Sequence, residues 1–296
     1  LLALKERPDS LMIIGGGYIA VEYGHFFAAM GTKVTILEMA DRLVLSEEPE
    51  LASLLKQELS RRMGVYTGVQ VEEVKKNGQG VTVITKDSKG GGKKEFTAQQ
   101  ILVAVGRRSN SDLLKVEKAG LELDKRGFIK VNEQLETNQK NIWAVGDANG
   151  QQMFTHVANR ESVIAANNGI HGGKMKMEYS AAPHAVYSHP QIASVGLTEE
   201  NARKTQKILV ARANYWDVAQ GEAMMEKNGF AKAILAANDG KILGFHIIGP
   251  YAPILIQEVI NAMTSGRGID DIEAGMHIHP ALSELIPRTL GNAEEA

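Results

Sequence analysis

The first strong hydrophobic signal is LMII, residues 11–14, a short apolar run ended by three glycines. A helix-spaced stretch carries on to Met30-Gly31, where glycine suits a helix C-terminus, and VTILE (34–38) follows as a second strand. Strand, glycine turn, helix and strand in that order predict a βαβ unit, with two parallel strands side by side and the helix crossing them. Ser46, Glu47 and Glu48 place a capping oxygen and early negative charge ahead of a second helix that runs to about Met63. Between Val65 and Val105 the segments VQVEEV, VTVITK, EFTA and ILVAV read as short strands. Asn77-Gly78 and Gly90-Gly91-Gly92 punctuate them, which predicts a β meander attached to the βαβ unit.

A second segment covers residues 116–182. GFIKV and NIWAV are its predicted strands, ETNQKN its polar link, and a helix is expected from about Val157 to Gly169. After Pro183, the segments HAVYS, ASVGL, KILVARANY, FAKAILAA and KILGFHIIG read as strands separated by helices. One further helix is expected from Pro253 to Ser265 and another opening at Pro280, so residues 183–296 predict a separate α+β domain. DSKGGGKK reads as an exposed loop tip, and there is no internal repeat.

Composition narrows the function classes. With 296 residues, 44% of them hydrophobic, the chain is long enough for a real core and more than one domain. Its 35 acidic and 33 basic residues are interleaved along the whole length, so neither nucleic acid nor an anionic membrane is an expected partner. No apolar stretch approaches the ~18 residues of a membrane span. The opening LLALKERPDS has charges too early for a secretory signal, so a cytoplasmic location is expected. It also lacks an initiator Met, which reads as a piece of a longer polypeptide. The absence of cysteine removes disulfides, thiolate metal sites and thiol nucleophiles from the available chemistry, and no metal site is expected.

GGGYIA, Gly15 to Ala20, fits G-x-G-x-x-G/A. Gly15 suits the tight turn, Gly17 lets a pyrophosphate approach the backbone, and the small Ala20 permits close helix packing, with phosphate at the helix N-terminus. The motif alone is a weak signal. Here it follows an apolar strand, opens a helix and is answered by Glu38 at the end of VTILE. A carboxylate there accepts hydrogen bonds from a ribose 2′-hydroxyl and repels a 2′-phosphate, so NAD is expected over NADP. The competing reading is a glycine-rich turn with an incidental surface Glu.

Extended to GGGYIAVE, the motif resembles the second nucleotide fingerprint of the class I pyridine nucleotide-disulfide oxidoreductases. ILVAVGRRSN is similar to that family's strand with Gly-Arg and Asn, and NIWAVGDANG to its second flavin motif. SHPQIASVGLTEE resembles the start of its dimerisation domain, and HIHPALSE its terminal catalytic motif. The resemblance implies an α/β fold of three parts: a Rossmann-like NAD-binding domain (1–115), the C-terminal half of an FAD-binding domain (116–182) and an α+β dimerisation domain (183–296). By the same resemblance, Gly15, Gly16, Gly17, Tyr18, Ile19, Ala20, Val21, Glu22 and Glu38 line the NAD site, Val71 contacts the adenine and Gly106 approaches the nicotinamide side. Tyr18 stands where some relatives place a ring over the flavin, and ordinary packing at a helix start explains it equally well.

Gly146 and Asp147 are expected to end an apolar strand, the edge at which open α/β sheets bind ligands. The resemblance assigns Asp147 to the flavin ribityl and pyrophosphate region, and Met153, Phe154, Thr155 and His156 to the segment beside the isoalloxazine. Pro280 suits the first position of a helix, so His279 is expected to project from its entrance, with Glu284 one turn in to orient the ring as a general acid/base. In the family this pair moves the proton of a dithiol substrate, and it serves the partner subunit's active site; a lone His-Pro with a downstream Glu is otherwise an ordinary helix start. The pattern H-x-H-P from His277 is nearest to the dihydrolipoamide dehydrogenase branch, although Ala281 stands where Thr is usual. The other histidines, including His25, His184 and His246, read as structural or exposed.

The resemblance implies NAD and FAD as cofactors, dihydrolipoamide or a related dithiol as substrate, and a homodimer. The family's first flavin fingerprint and redox cysteine pair do not occur in these residues, so negligible lipoamide reduction is expected of the chain alone. A mercuric reductase would show a C-terminal cysteine pair, and glutathione-type reductases would show basic residues in place of Glu38. From a different class, the chain reads as an NAD-binding and dimerising module without catalysis.

Overall fold

The computed structural model describes residues 3–78, 80–266 and 268–295. They form two compact units: 1–106 together with 183–296, and 107–182. In the first unit, β1 (Ser10–Ile14), α1 (Tyr18–Ala29) and β2 (Lys33–Leu37) make the expected βαβ unit, with β1 and β2 parallel and Ile13 opposite Ile36. Ala20, Val21, Gly24 and Phe27 form the buried stripe of α1. A Cβ on Gly24 would come within 3.0 Å of Ile36 Cδ1, so glycine lets the helix lie close to the sheet.

The helix α2 (Pro49–Ser60) begins later than the Ser-Glu-Glu pattern predicts. Pro49 takes the first helical position, where its missing N–H leaves nothing unsatisfied, and holds Glu48 at ψ 135°. Glu47 and Glu48 are therefore not solvated first-turn charges; each is 1% exposed. Three further stretches complete the N-terminal part: β3 (Gly64–Tyr66), an antiparallel meander of β4 (Val69–Asn77), β5 (Gly80–Asp87) and β6 (Lys93–Ala98), and β7 (Gln100–Val103). The parallel sheet runs β3-β2-β1-β7. β3, a three-residue strand, has no pattern in the sequence long enough to reveal it. The turn at 88–92 is exposed, as expected.

The middle unit contains α3 (Ser111–Leu114) and α4 (Thr155–His171). GFIKV and NIWAV are not strands; they make only isolated bridges, Leu123 with Ile129 and Glu136 with Trp143. Each folds back on a nearby segment, as in the bonds Ile129 N–H to the Ala148 carbonyl and Ala144 N–H to the Leu135 carbonyl, so no ladder extends.

The C-terminal part of the first unit holds β8 (Pro183–Val186), β9 (Ile192–Gly196), α5 (Glu199–Arg203), β10 (Ile208–Asn214), β11 (Phe230–Ala236), β12 (Ile242–Ile248) and β13 (Glu294–Glu295). Its sheet is antiparallel, in the order β13-β10-β11-β12-β9-β8. The expected helix at 253–265 is split into Ala252–Leu255 and Gln257–Ser265, and the one expected at Pro280 is a short turn over Leu282–Glu284 followed by Leu285–Leu290. Ala281, fully extended at φ −148° and ψ 154°, keeps Pro280 outside that turn. Val186, Ile192, Phe230 and Ile248 of this sheet share one core with Leu11, Ile13, Leu51 and Leu55.

One row of side chains crosses five strands of this sheet. Register places Arg212 opposite Lys232, Lys232 opposite His246, His246 opposite Ser194, and Ser194 opposite His184. These residues meet the carboxylates at the start of α2. Arg212 Nη1 lies 2.5 Å from Glu50, and Lys232 Nζ lies 2.8 Å from Glu48, 2.9 Å from Glu50 and 2.6 Å from Glu199. Glu47 accepts from Ser194 Oγ at 2.6 Å and sits 2.9 Å from His184 Nε2. His246 Nε2 donates to the Leu197 carbonyl at 3.0 Å, while its Nδ1 is buried with no hydrogen-bond partner among the described residues.

Burial pulls the His246 pKa below its ordinary value, and the nearby carboxylates of Glu48 and Glu47 only partly oppose this. In the unfolded chain the same imidazole takes up a proton near pH 6.5. Between that value and the lower folded one, the unfolded state binds more protons, so stability is fully present above about pH 6.5 and falls as the pH drops. Urea unfolding between pH 7.5 and 5.5 should show this decline, at up to about 1.4 kcal/mol per pH unit. His246→Gln, which keeps a donor for Leu197, should flatten it; an unchanged slope in the variant would assign the effect to other groups.

Candidate functional site

The glycine turn is built by three residues with different constraints. Gly15 has φ +109°, donates its N–H to the Leu37 carbonyl at 2.8 Å, and has no room for a Cβ beside the Ala104 carbonyl. A Cβ on Gly16 would lie 2.8 Å from Glu38 Cγ, so the glutamate stem packs directly on the turn. Gly17, the N-cap of α1, has nothing within 4 Å of its would-be Cβ. That clearance, at the positive end of a twelve-residue helix, suits a diphosphate.

Glu38 follows β2 and is half-buried. Its Oε1 accepts from the Ala40 N–H at 2.6 Å, and its Oε2 makes no hydrogen bond among the described residues. One carboxylate oxygen thus fixes the side chain beside the glycine turn and the other remains for a hydroxyl donor. The rest of the fingerprint divides by burial. Ile19 is exposed, Ala20 and Val21 are buried against the sheet, and the Glu22 carboxylate accepts from the Tyr187 N–H at 2.9 Å.

The Tyr18 hydroxyl donates to Glu47 at 2.8 Å and pairs with Ser46 Oγ at 2.6 Å; burial and the Glu47 charge push its pKa far up. Tyr18 is therefore anchored by the loop before α2. Val71 is half-buried on β4 against Met12, Leu37 and Val83, and Gly106, at φ +133°, has open space around its would-be Cβ.

In the middle unit Gly146 and Asp147 lie in a single tight turn, Gly146–Ala148, after the extended Val145. Asp147 pairs with Arg107 Nη2 at 2.7 Å. Behind the turn, the fully buried Glu161 of α4 accepts from the Gly146 N–H at 2.5 Å, Asn149 Nδ2 at 2.9 Å and the Tyr179 hydroxyl at 2.5 Å. Met153 and Phe154 are half-buried ahead of α4, and Thr155 and His156 are exposed in its first turn, with the His156 ring stacked on Phe154.

At the C-terminal end His279 Nδ1 lies 2.9 Å from Glu284 Oε1, and the ring is 69% exposed. The Ala281 N–H also donates to Glu284, at 3.0 Å, and this bond with the His279 contact holds the Glu284 pKa below its ordinary value. Ala281, without a side-chain oxygen, still contributes its backbone to the pair. The bond between His279 and Pro280 is cis. His277 is paired separately, with Glu258 at 3.0 Å.

Residues 1–162 match the family model described as pyridine nucleotide-disulphide oxidoreductase, and residues 182–290 match the model of that family's dimerisation domain. The chain belongs to this family. Curated relatives of the chain include a dihydrolipoyl dehydrogenase of Geobacillus stearothermophilus, 38% identical over 96% of the chain, and one of Bacillus subtilis, 37% identical over 96%. The chain spans 60% of the length of each. Among solved structures, the HOCl-induced flavoprotein disulfide reductase RclA of Escherichia coli is 28% identical with a TM-score of 0.87, over 98% of this chain and 66% of that one. LpdA of Mycobacterium tuberculosis shares the fold, with a TM-score of 0.89 at 21% identity, over 98% of this chain and 63% of that one.

Sequence reasoning missed Glu47, Glu48, Lys232 and Glu161 in this chain. Two signals were present: Lys232 and His246 are lone polar residues within the apolar runs FAKAILAA and ILGFHIIG, and a lysine is almost never fully buried unless paired. The carboxylates of Glu48, Glu50 and Glu199 converge closely enough to hold a metal ion, but the Lys232 ammonium already lies against all three. Among the described residues no helix is long and apolar enough to cross a membrane.

Proposed function

We propose that this chain is the NAD-binding and dimerising part of a dihydrolipoamide dehydrogenase. That enzyme oxidises a dihydrolipoamide dithiol to its disulfide and passes the electrons through FAD to NAD. The observation that carries the reading is the open approach to Gly17 beside a Glu38 carboxylate with one oxygen to spare. Gly15, Gly16 and Gly17 would bring the pyrophosphate of NAD to the start of α1, and Glu38 would hold the adenosine ribose. When bound, NAD supplies the hydride acceptor.

The Asp147 carboxylate, held in place by Arg107 and by the Glu161-braced turn, would receive sugar hydroxyls of FAD. His279, fixed at Nδ1 by Glu284, presents Nε2 to take the proton of a substrate thiol. In the proposed homodimer this pair serves the partner subunit's site. Calorimetric titration should show NAD preferred over NADP, and Glu38→Arg should reverse the preference by at least about tenfold. Unchanged selectivity in the variant would overturn the role of Glu38.

One observation favours a second reading, an NAD-binding and dimerising module: these residues contain no thiol for an electron relay. Flavin absorbance of the purified chain separates the two. A yellow protein supports the flavoenzyme and a colourless one the module.

A further inference from the structure

Residues 39–48, between Glu38 and α2, make contacts with the glycine turn and the first residue of α1. The Val44 N–H donates to the Gly16 carbonyl at 2.8 Å, and Ser46 and Glu47 hold the Tyr18 hydroxyl at 2.6 and 2.8 Å. Tyr18 is the first residue of α1, next to its Gly17 N-cap. Glu47 is in turn fixed from the C-terminal sheet by Ser194 at 2.6 Å and His184 at 2.9 Å. Its carboxylate is 1% exposed; the Tyr18 and Ser194 hydroxyls donate to it, and His184 Nε2 lies against it.

We propose that Glu47 is a positioning residue for the dinucleotide: it locks the first turn of α1, through Tyr18, to the C-terminal sheet and so sets the direction of the N–H groups that meet the pyrophosphate. This rests on the NAD reading above. The reason for a carboxylate is the donor set. A glutamine offers one acceptor oxygen in place of two, and its amide must face a second donor, so the Tyr18 anchor competes with the sheet contacts. Burial works against the charge, yet the hydrogen bonds from His184, Ser194 and Tyr18 keep the Glu47 pKa below its ordinary value, so the anion is maintained at neutral pH.

The far end of the same polar row supplies the control. Glu50 also joins the N-terminal part to the sheet, through Arg212 and Lys232, but it makes no hydrogen bond to Tyr18 or the glycine turn. NAD affinity of the full chain is measured by calorimetry for the wild type, Glu47→Gln, Tyr18→Phe, the double variant and Glu50→Gln, alongside thermal unfolding. Glu47→Gln and Tyr18→Phe should each weaken NAD binding by on the order of tenfold. The double variant should be no weaker than the worse single one, because both break the same link. Glu50→Gln should lower Tm and leave affinity unchanged.

Wild-type affinity in Glu47→Gln, or losses that multiply in the double variant, would overturn the proposal while leaving the NAD site intact. Equal affinity losses in Glu50→Gln would also overturn it, since they would report only a loosened junction. No NAD binding by the folded wild type would overturn both the proposal and the reading beneath it. Should Glu47→Gln not fold, Tyr18→Phe, which removes a single hydroxyl, decides the question: unchanged affinity refutes the link.

Discussion

Lys232→Met is expected to destabilise the protein by about 3–5 kcal/mol, the loss typical when one partner of a buried ion pair is removed. Lys232 is 2% exposed, and its ammonium is shared by Glu48, Glu50 and Glu199. Burial alone would lower its pKa; the three carboxylates overcome that and hold it above the ordinary lysine value. Without the cation, three acids face one another; Glu50 keeps Arg212 and Glu199 keeps Arg203, while Glu48, 1% exposed, loses its cation. For a unit of this size the change corresponds to a fall in Tm on the order of 10 °C. A second variant tests the cause: Glu48→Gln added to Lys232→Met should recover part of the loss, because it removes the buried charge that the first substitution leaves without its cation. Thermal unfolding of both variants checks this. A Tm within a degree or two of the wild type in Lys232→Met would mean that the junction between α2 and the sheet does not depend on its ion pairs.

The glycines of the fingerprint should fail in opposite ways. Gly15→Ala forces a side chain into a backbone held at φ +109° and against the Ala104 carbonyl, whose carbon would lie 2.8 Å away. Positive-φ strain of about 1–3 kcal/mol adds to displacement of the segment after β7, so a loss of about 3 kcal/mol or more is expected together with NAD binding. Gly17→Ala meets no neighbour within 4 Å, at an ordinary φ of −79°. It should keep wild-type stability and lose NAD affinity by on the order of a hundredfold, because its methyl would occupy the path of the pyrophosphate. Urea unfolding and NAD titration of both variants separate folding from binding. Unimpaired NAD binding by Gly17→Ala would remove the pyrophosphate from this turn.

Periodicity explains why some of this architecture is visible in the chain and some is not. LMII, VTILE and the strands after Pro183 carry apolar runs bounded by glycine or polar turns, and each becomes a strand because a neighbour in the sheet completes its ladder. GFIKV has the same composition but meets only nearby loops, so its hydrogen bonds go to Ala148 and Glu122 and no strand forms. Sequence pattern reports a preference; the partner decides the outcome. The candidate site divides in a similar way. Spacing along one strand-turn-helix brings Glu38 onto Gly16, and spacing of five residues brings Glu284 to His279. The contacts of Glu47, by contrast, join residues 147 positions apart to one another, from Ser194 back to the start of α2, and no local rule connects them. Charged residues before a proline read as solvated caps until the sheet that covers them is known.

The most direct test of the account is a crystal structure of the chain soaked with NAD. The diphosphate is expected against Gly17 at the start of α1, with the adenosine ribose 2′-hydroxyl within hydrogen-bond distance of the Glu38 carboxylate. A dinucleotide bound elsewhere, or an empty glycine turn in crystals soaked at saturating NAD, would contradict it.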